Sequence, residues 1–130
     1  MANPQRPLSP HLQVYRWQIT MVMSIANRAT GIVLTAGAFA LVWWLLAAAG
    51  LAPYEPLAAV SGSILGLVVL FGFTACLVYH LLNGIRHLVW DGGFFMDIPG
   101  VYATGWLVWG LTVVCTLGLW VAIWMTGALA

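Results

Sequence analysis

The sequence predicts an all-α integral membrane protein with three transmembrane helices, and three observations carry that prediction. Of its 130 residues 63% are hydrophobic and 5% charged, against about 25% charged in soluble domains. So few charges cannot cover the surface of a soluble monomer of this length, whereas a lipid-facing surface needs none. The charges also punctuate the chain, at Arg6, Arg16, Arg28, Glu55, Arg86, Asp91 and Asp97. They leave uncharged stretches from Ala29 to Tyr54, Pro56 to Ile85 and Ile98 to Ala130, each longer than the roughly 20 residues a helix needs to cross. Finally, the connections read as loops, with prolines at 53 and 56 in the first, and Gly92, Gly93, Pro99 and Gly100 in the second.

In order along the chain, residues 1–28 form an N-terminal cytoplasmic or interfacial segment. Pro4, Pro7 and Pro10 favour an extended lead, in which His11 is a solvated or interface side chain. Met1 to Tyr15 lacks both the basic end and apolar core of a cleavable signal and the Arg- and Ser-rich character of a transit peptide. The expectation is therefore no targeting segment and a bacterial cytoplasmic (inner) membrane. Spans follow near Ala29 to Gly50, Ala59 to Ile85 and Ala103 to Gly127, within a single domain covering residues 1–130. With three crossings all four arginines fall on one side, which places the N-terminus in the cytoplasm and the C-terminus across the membrane. Trp17 and Trp90 then sit near the inner boundary, and Trp43, Trp44 and Trp124 near the outer one. Gly62 and Gly66 form a GxxxG in the second span, and Gly31 with Thr35 a small pair in the first. Three helices have few internal contacts, so polar residues among them need another chain: a hetero-oligomer is expected.

Several function classes drop out. Four Arg, no Lys and three acids leave a formal charge of +1, which offers no basic field for nucleic acid. Cys76 and Cys115 stand alone in apolar runs without CxxC spacing and read as small core hydrophobes. No nucleophile triad, phosphate loop or zinc spacing is present. A channel would continue its polar residues to both sides of the bilayer, but here they gather in the inner half.

His80 is the residue to explain first. It lies about 9 Å inside Arg86 at helical rise, and intramembrane ionisable groups are functional by default. Two readings stand: a neutral imidazole bonded to a neighbouring helix, or a haem ligand. Gly72, Cys76, Asn83 and Gly84 share its helix face, and the small ones leave the gap that a flat porphyrin needs. His87 lies about 10.5 Å further along the same face, too far to ligate the same iron. The second axial ligand must therefore come from another polypeptide. His87 has Asp91 four residues on as a partner, with a haem-propionate contact as the alternative. Ser24, Asn27, Arg28 and Gly31 form a polar stripe at the start of the first span. Either Arg28 snorkels to the headgroups and Ser24 bonds its own helix, or the stripe receives the carbonyl head of a quinone, whose reduction builds negative charge on oxygen and takes up protons.

Three motifs carry a family resemblance. The lead RPLSPHLQVY (Arg6 to Tyr15), the stretch SIANRATG (Ser24 to Gly31) and the helix end YHLLNGIRHLVWD (Tyr79 to Asp91) together resemble the cytochrome b membrane-anchor subunit, the larger of two anchors, of succinate dehydrogenase (succinate:quinone oxidoreductase, respiratory complex II). The resemblance covers essentially the whole chain. It implies that His80 is the axial ligand of haem b, shared with a second small membrane-anchor subunit, and that Ser24 and Arg28 line the ubiquinone pocket. Asn27 departs from the family, which has His in its S-I-x-H-R-x-T-G signature. Asn27 and His87 then belong to the haem-propionate environment, where Asn keeps a donor but cannot exchange a proton near neutral pH. The implied partners are that second anchor, an iron–sulfur subunit, a flavoprotein that oxidises succinate, and the lipid bilayer. The alternatives are a haem-free structural anchor and the anchor of a fumarate-reducing relative.

Overall fold

The computed structural model describes residues 16–127; the Arg6–Tyr15 lead, with His11, lies outside the described residues. Four helices run in order, α1 (Ile19–Ala48), α2 (Glu55–Ser61), α3 (Ile64–Asp91) and α4 (Ile98–Met125), and the described residues contain no strand. Helices α1, α3 and α4 are each long and apolar enough to cross a membrane.

Helices α1 and α3 extend beyond their uncharged runs, and α4 begins at the first residue of its own. Helix α1 begins at Ile19 and not near Ala29, and α4 at Ile98 and not near Ala103. Charge placement marks where hydrocarbon begins, whereas a helix continues into the interface as long as its backbone bonds are met. Asp97 starts α4 by accepting the Gly100 amide at 3.3 Å, with Pro99 in the first turn. Helices α1 and α3 stop by the same device. Gly50 (φ 74) and Gly93 (φ 82) adopt the left-handed conformation, so the Leu51 amide reaches back to the Leu46 carbonyl at 2.8 Å and the Phe94 amide to that of Val89 at 3.2 Å.

The second span differs from expectation, because a short helix precedes it. Helix α2 ends at Gly62, and Ser63 caps α3 by accepting the Gly66 amide at 3.0 Å. Gly62 and Gly66 thus lie on either side of a break, not on one helix face, and the expected GxxxG surface does not exist. A β-carbon at Gly66 would collide with the Val60 carbonyl oxygen, so this glycine closes the corner between α2 and α3.

Helix α3 is central, antiparallel to both α1 and α4. Its register with α1 is marked by Asn83 beside Asn27, His80 beside Thr30 and Phe73 over Gly37. Its register with α4 is marked by Arg86 on Thr104, Tyr79 on Trp109 and Phe71 on Trp120. The buried apolar core is Ile19, Met23, Tyr79 and Val108. Gly105 lets α1 approach α4, since a β-carbon there would sit 2.8 Å from Ile19 Cδ1 and 3.0 Å from Met23 Sδ. This buried core lies toward the N-terminal end of α1. Toward the other end the helices part around an apolar cavity of about 890 Å³ between α1, α2 and α3, with Gly37, Trp44, Leu57, Phe73 and Cys76 among its walls.

Candidate functional site

Two polar rungs cross from α1 to α3. In the first, Asn83 Nδ2 donates to Asn27 Oδ1 at 3.0 Å; in the second, one turn further into the helix pair, Thr30 Oγ1 and His80 Nδ1 lie 3.1 Å apart. Antiparallel helices bring together residues whose numbers sum to a constant, and both rungs share the sum that also pairs Gly37 with Phe73. Gly31 completes the seat of His80, because a β-carbon at that position would already lie 3.4 Å from His80 Cε1. Along α3 on either side of the histidine, Gly84 and Gly72 are open, and a β-carbon at either would meet nothing within 4 Å. His80 Nε2 has no hydrogen-bond partner among the described residues.

The polar stripe of α1 divides. At about 100° per residue, Asn27 and Thr30 fall on the side of the stripe that meets α3, and Arg28 on the other. Asn27 is half-buried, whereas Ser24 and Arg28 are exposed and have no hydrogen-bond partner among the described residues. The structure therefore brings Asn27 and Gly31 into the α1–α3 seam with His80, and leaves Ser24 and Arg28 facing outward, one helical turn apart.

Three expectations are corrected on α3. Asn83 does not share the open face of His80: it is fully buried against α1, with its Nδ2 spent on Asn27 and its Oδ1 unpartnered. His87 does not pair with Asp91, because its Nδ1 lies 2.7 Å from the Asn83 carbonyl oxygen one turn back. A carbonyl can only accept, so Nδ1 carries the proton and Nε2 the lone pair of the neutral ring. Arg86, expected as a boundary charge, is 5% exposed. Its Nε donates to Thr104 Oγ1 at 2.9 Å and its Nη2 to the Val101 carbonyl at 3.0 Å, and its guanidinium stacks 3.8 Å over the Trp90 ring. It ties α3 to α4.

The comparisons with known proteins decide the family. Residues 2–119 match the succinate dehydrogenase/fumarate reductase transmembrane subunit family. The chain belongs to that family. It is 42% identical to the succinate dehydrogenase cytochrome b556 subunit of Rickettsia prowazekii, over 90% of this chain and 92% of the relative. It is 42% identical to the subunit of that name from Paracoccus denitrificans, over 88% and 89%, and 43% identical to the mitochondrial cytochrome b560 subunit of Sus scrofa, over 88% and 69%. As a succinate dehydrogenase/fumarate reductase transmembrane subunit, the chain is the membrane anchor of an enzyme complex, with three long apolar helices among its described residues.

Haem is the group that cytochrome naming implies, and the donor set fits one side of one iron. His80 is an intramembrane imidazole with one ring nitrogen engaged and the other unpartnered, flanked by glycines. His87 uses its Nδ1 on its own backbone. Among the described residues no cluster of three or more His, Cys, Asp or Glu exists that could hold a bare metal ion. Neither Thr30 nor Tyr79 stood out in the sequence. Thr30 occupies the Thr of the SIANRATG stretch, which was its one signal. Tyr79, whose hydroxyl donates to the Met23 carbonyl at 3.0 Å, had none beyond its place beside His80.

Proposed function

We propose that this chain is the membrane-anchor subunit of a succinate:quinone oxidoreductase, that His80 Nε2 is one axial ligand of a haem b whose other ligand comes from the partner anchor subunit, and that Ser24 and Arg28 form part of the ubiquinone-reduction site. The observation that supports the haem reading is the seat of His80. Thr30 engages Nδ1 on one side of the ring, while Nε2 is unpartnered and Gly84, one turn on, leaves open space. Haem b bound there supplies one-electron redox chemistry beside the route from the iron–sulfur subunit to quinone.

The chain's own residues divide the remaining work. The Arg28 guanidinium holds the potential positive where negative charge builds on quinone oxygen. Ser24, one turn away, offers a hydroxyl to the same headgroup. Asn27 spends its Oδ1 on Asn83, which leaves its Nδ2 to donate to a haem propionate or the quinone. A propionate contact from His87 Nε2 requires the doubly protonated ring, because its Nδ1 proton is held by the Asn83 carbonyl. Both quinone-site residues face outward, so the iron–sulfur subunit and the second anchor must wall the pocket. The bacterial inner membrane is the location that the Rickettsia and Paracoccus relatives favour.

Absorption spectra of the purified complex test the haem reading. His80→Ala is expected to lose or weaken the low-spin bis-histidine spectrum, and His87→Ala to do less. The reverse pattern would reassign the ligand, and an unmodified complex without haem would make the chain a purely structural anchor. Comparing succinate-to-quinone with quinol-to-fumarate rates tests the direction.

A further inference from the structure

Thr30 has one hydroxyl proton and three neighbours that compete for it. Its Oγ1 lies 2.9 Å from the Ala26 carbonyl oxygen, 3.0 Å from that of Asn27 and 3.1 Å from His80 Nδ1. The two carbonyls belong to the preceding turn of α1, where a helical threonine hydroxyl normally donates, and a carbonyl cannot return a proton. With the hydroxyl proton committed to them, the contact to His80 is satisfied only if the ring nitrogen is the donor. That places the imidazole proton on Nδ1 and the lone pair on Nε2. The opposite assignment would put the proton on Nε2, which has no acceptor among the described residues, and would block that nitrogen from any metal.

We propose that Thr30 is the positioning residue of His80: its hydroxyl accepts the Nδ1 proton, selects the tautomer whose Nε2 can ligate iron, and sets the plane of the ring. This rests on the reading of His80 as a haem ligand. Fixing an imidazole through a hydrogen bond to its far nitrogen both orients the ligand and raises its donor strength. Thr30 touches no reacting atom. Its influence passes through the histidine, and the bond is intrinsic to the chain because both partners come from it.

The test uses the full complex carrying Thr30→Val, Thr30→Ala, Thr30→Ser or His80→Ala, with three readouts: haem per complex, the principal g-values of the ferric low-spin centre, and the haem midpoint potential. Thr30→Val, nearly isosteric, is expected to weaken haem retention about tenfold, the scale of losing one outer-shell partner. It should also move the largest g-value as the ring loses its fixed plane, and raise the midpoint potential because a weaker donor favours ferrous iron. Thr30→Ala, which cannot clash, should do the same and stands in if the valine variant fails to assemble. Thr30→Ser should retain parental values. The proposal is overturned if Val and Ala leave all three readouts unchanged while His80→Ala loses haem, since the ligand then needs no help from Thr30. It is also overturned if Ser is as impaired as Val, because packing of the methyl group would then be the cause. Retention of haem by His80→Ala would instead remove the ligand assignment and this inference with it.

Discussion

Ser24 and Arg28 occupy the same outward-facing turn of α1, and neither is held by another described side chain. A guanidinium with no partner among the described residues is free to act on a ligand or a partner surface. Ser24→Ala and Arg28→Leu are each expected to cut succinate-to-quinone activity by about an order of magnitude or more, the scale of removing one stabilising donor. Dye-linked succinate oxidation, which draws electrons before the membrane, should survive in the same preparations. Full quinone reductase activity in both assembled variants would make this pair a boundary feature only. Arg86 offers a contrast. It is equally cationic, yet its hydrogen bonds to Thr104 and the Val101 carbonyl make it part of the bundle, and its removal would strand buried acceptors on α4.

Helix α1 meets α3 at a distance set by glycine. A β-carbon at Gly37 would run into the ring of Phe73, so the aromatic side chain lies directly on the α1 backbone and holds the register that aligns both polar rungs. Gly37→Ala is expected to destabilise the helix pair by about 1–3 kcal/mol, the usual cost of overpacking, and to weaken haem binding by moving Thr30 relative to His80. Gly118→Ala on α4, where a β-carbon meets nothing within 4 Å, is the matched control and should be neutral. Unfolding titrations of the two variants in mixed micelles compare them; equal stability would show that the Phe73 ring moves aside without loss. The break at Gly62 and Ser63 serves a different end, since it turns the chain before α3 begins and frees Gly66 to receive the Val60 carbonyl.

Across the bundle, α1, α3 and α4 alternate in direction, so the start of α1 and the end of α4 lie at opposite ends of the helices. With Arg6, Arg16 and Arg28 preceding the first crossing and Arg86 ending the second, the N-terminus is expected in the cytoplasm and the C-terminus across the membrane. Reporter fusions at both ends check this, and a shared location would eliminate one crossing. The helices also leave most of their large apolar side chains exposed, and only four large hydrophobic side chains among the described residues are buried. Lipid covers such a surface, and so does a second set of helices. The cavity between α1, α2 and α3 reaches Gly72 and Cys76, two turns and one turn along α3 from His80.

Membrane residence, the three long helices and the singular position of His80 were legible in the amino-acid sequence, because hydropathy and charge are local and summing them along the chain needs no knowledge of neighbours. The Gly93 stop was legible as a loop signal for the same reason. The use of each polar residue was not. Thr30 reads as a helical threonine bonded to its own backbone, and only the fold brings to it a histidine 50 residues away. Asn83 and Gly84 are adjacent in sequence, yet one is sealed against Asn27 and the other stands open. Arg86 looked like a headgroup charge until α4 packed over it. Those outcomes depend on how one helix rotates and slides against another. Contacts such as Phe73 on Gly37 and Ile19 on Gly105 set that geometry, and each is a property of a pair of distant residues that neither carries alone.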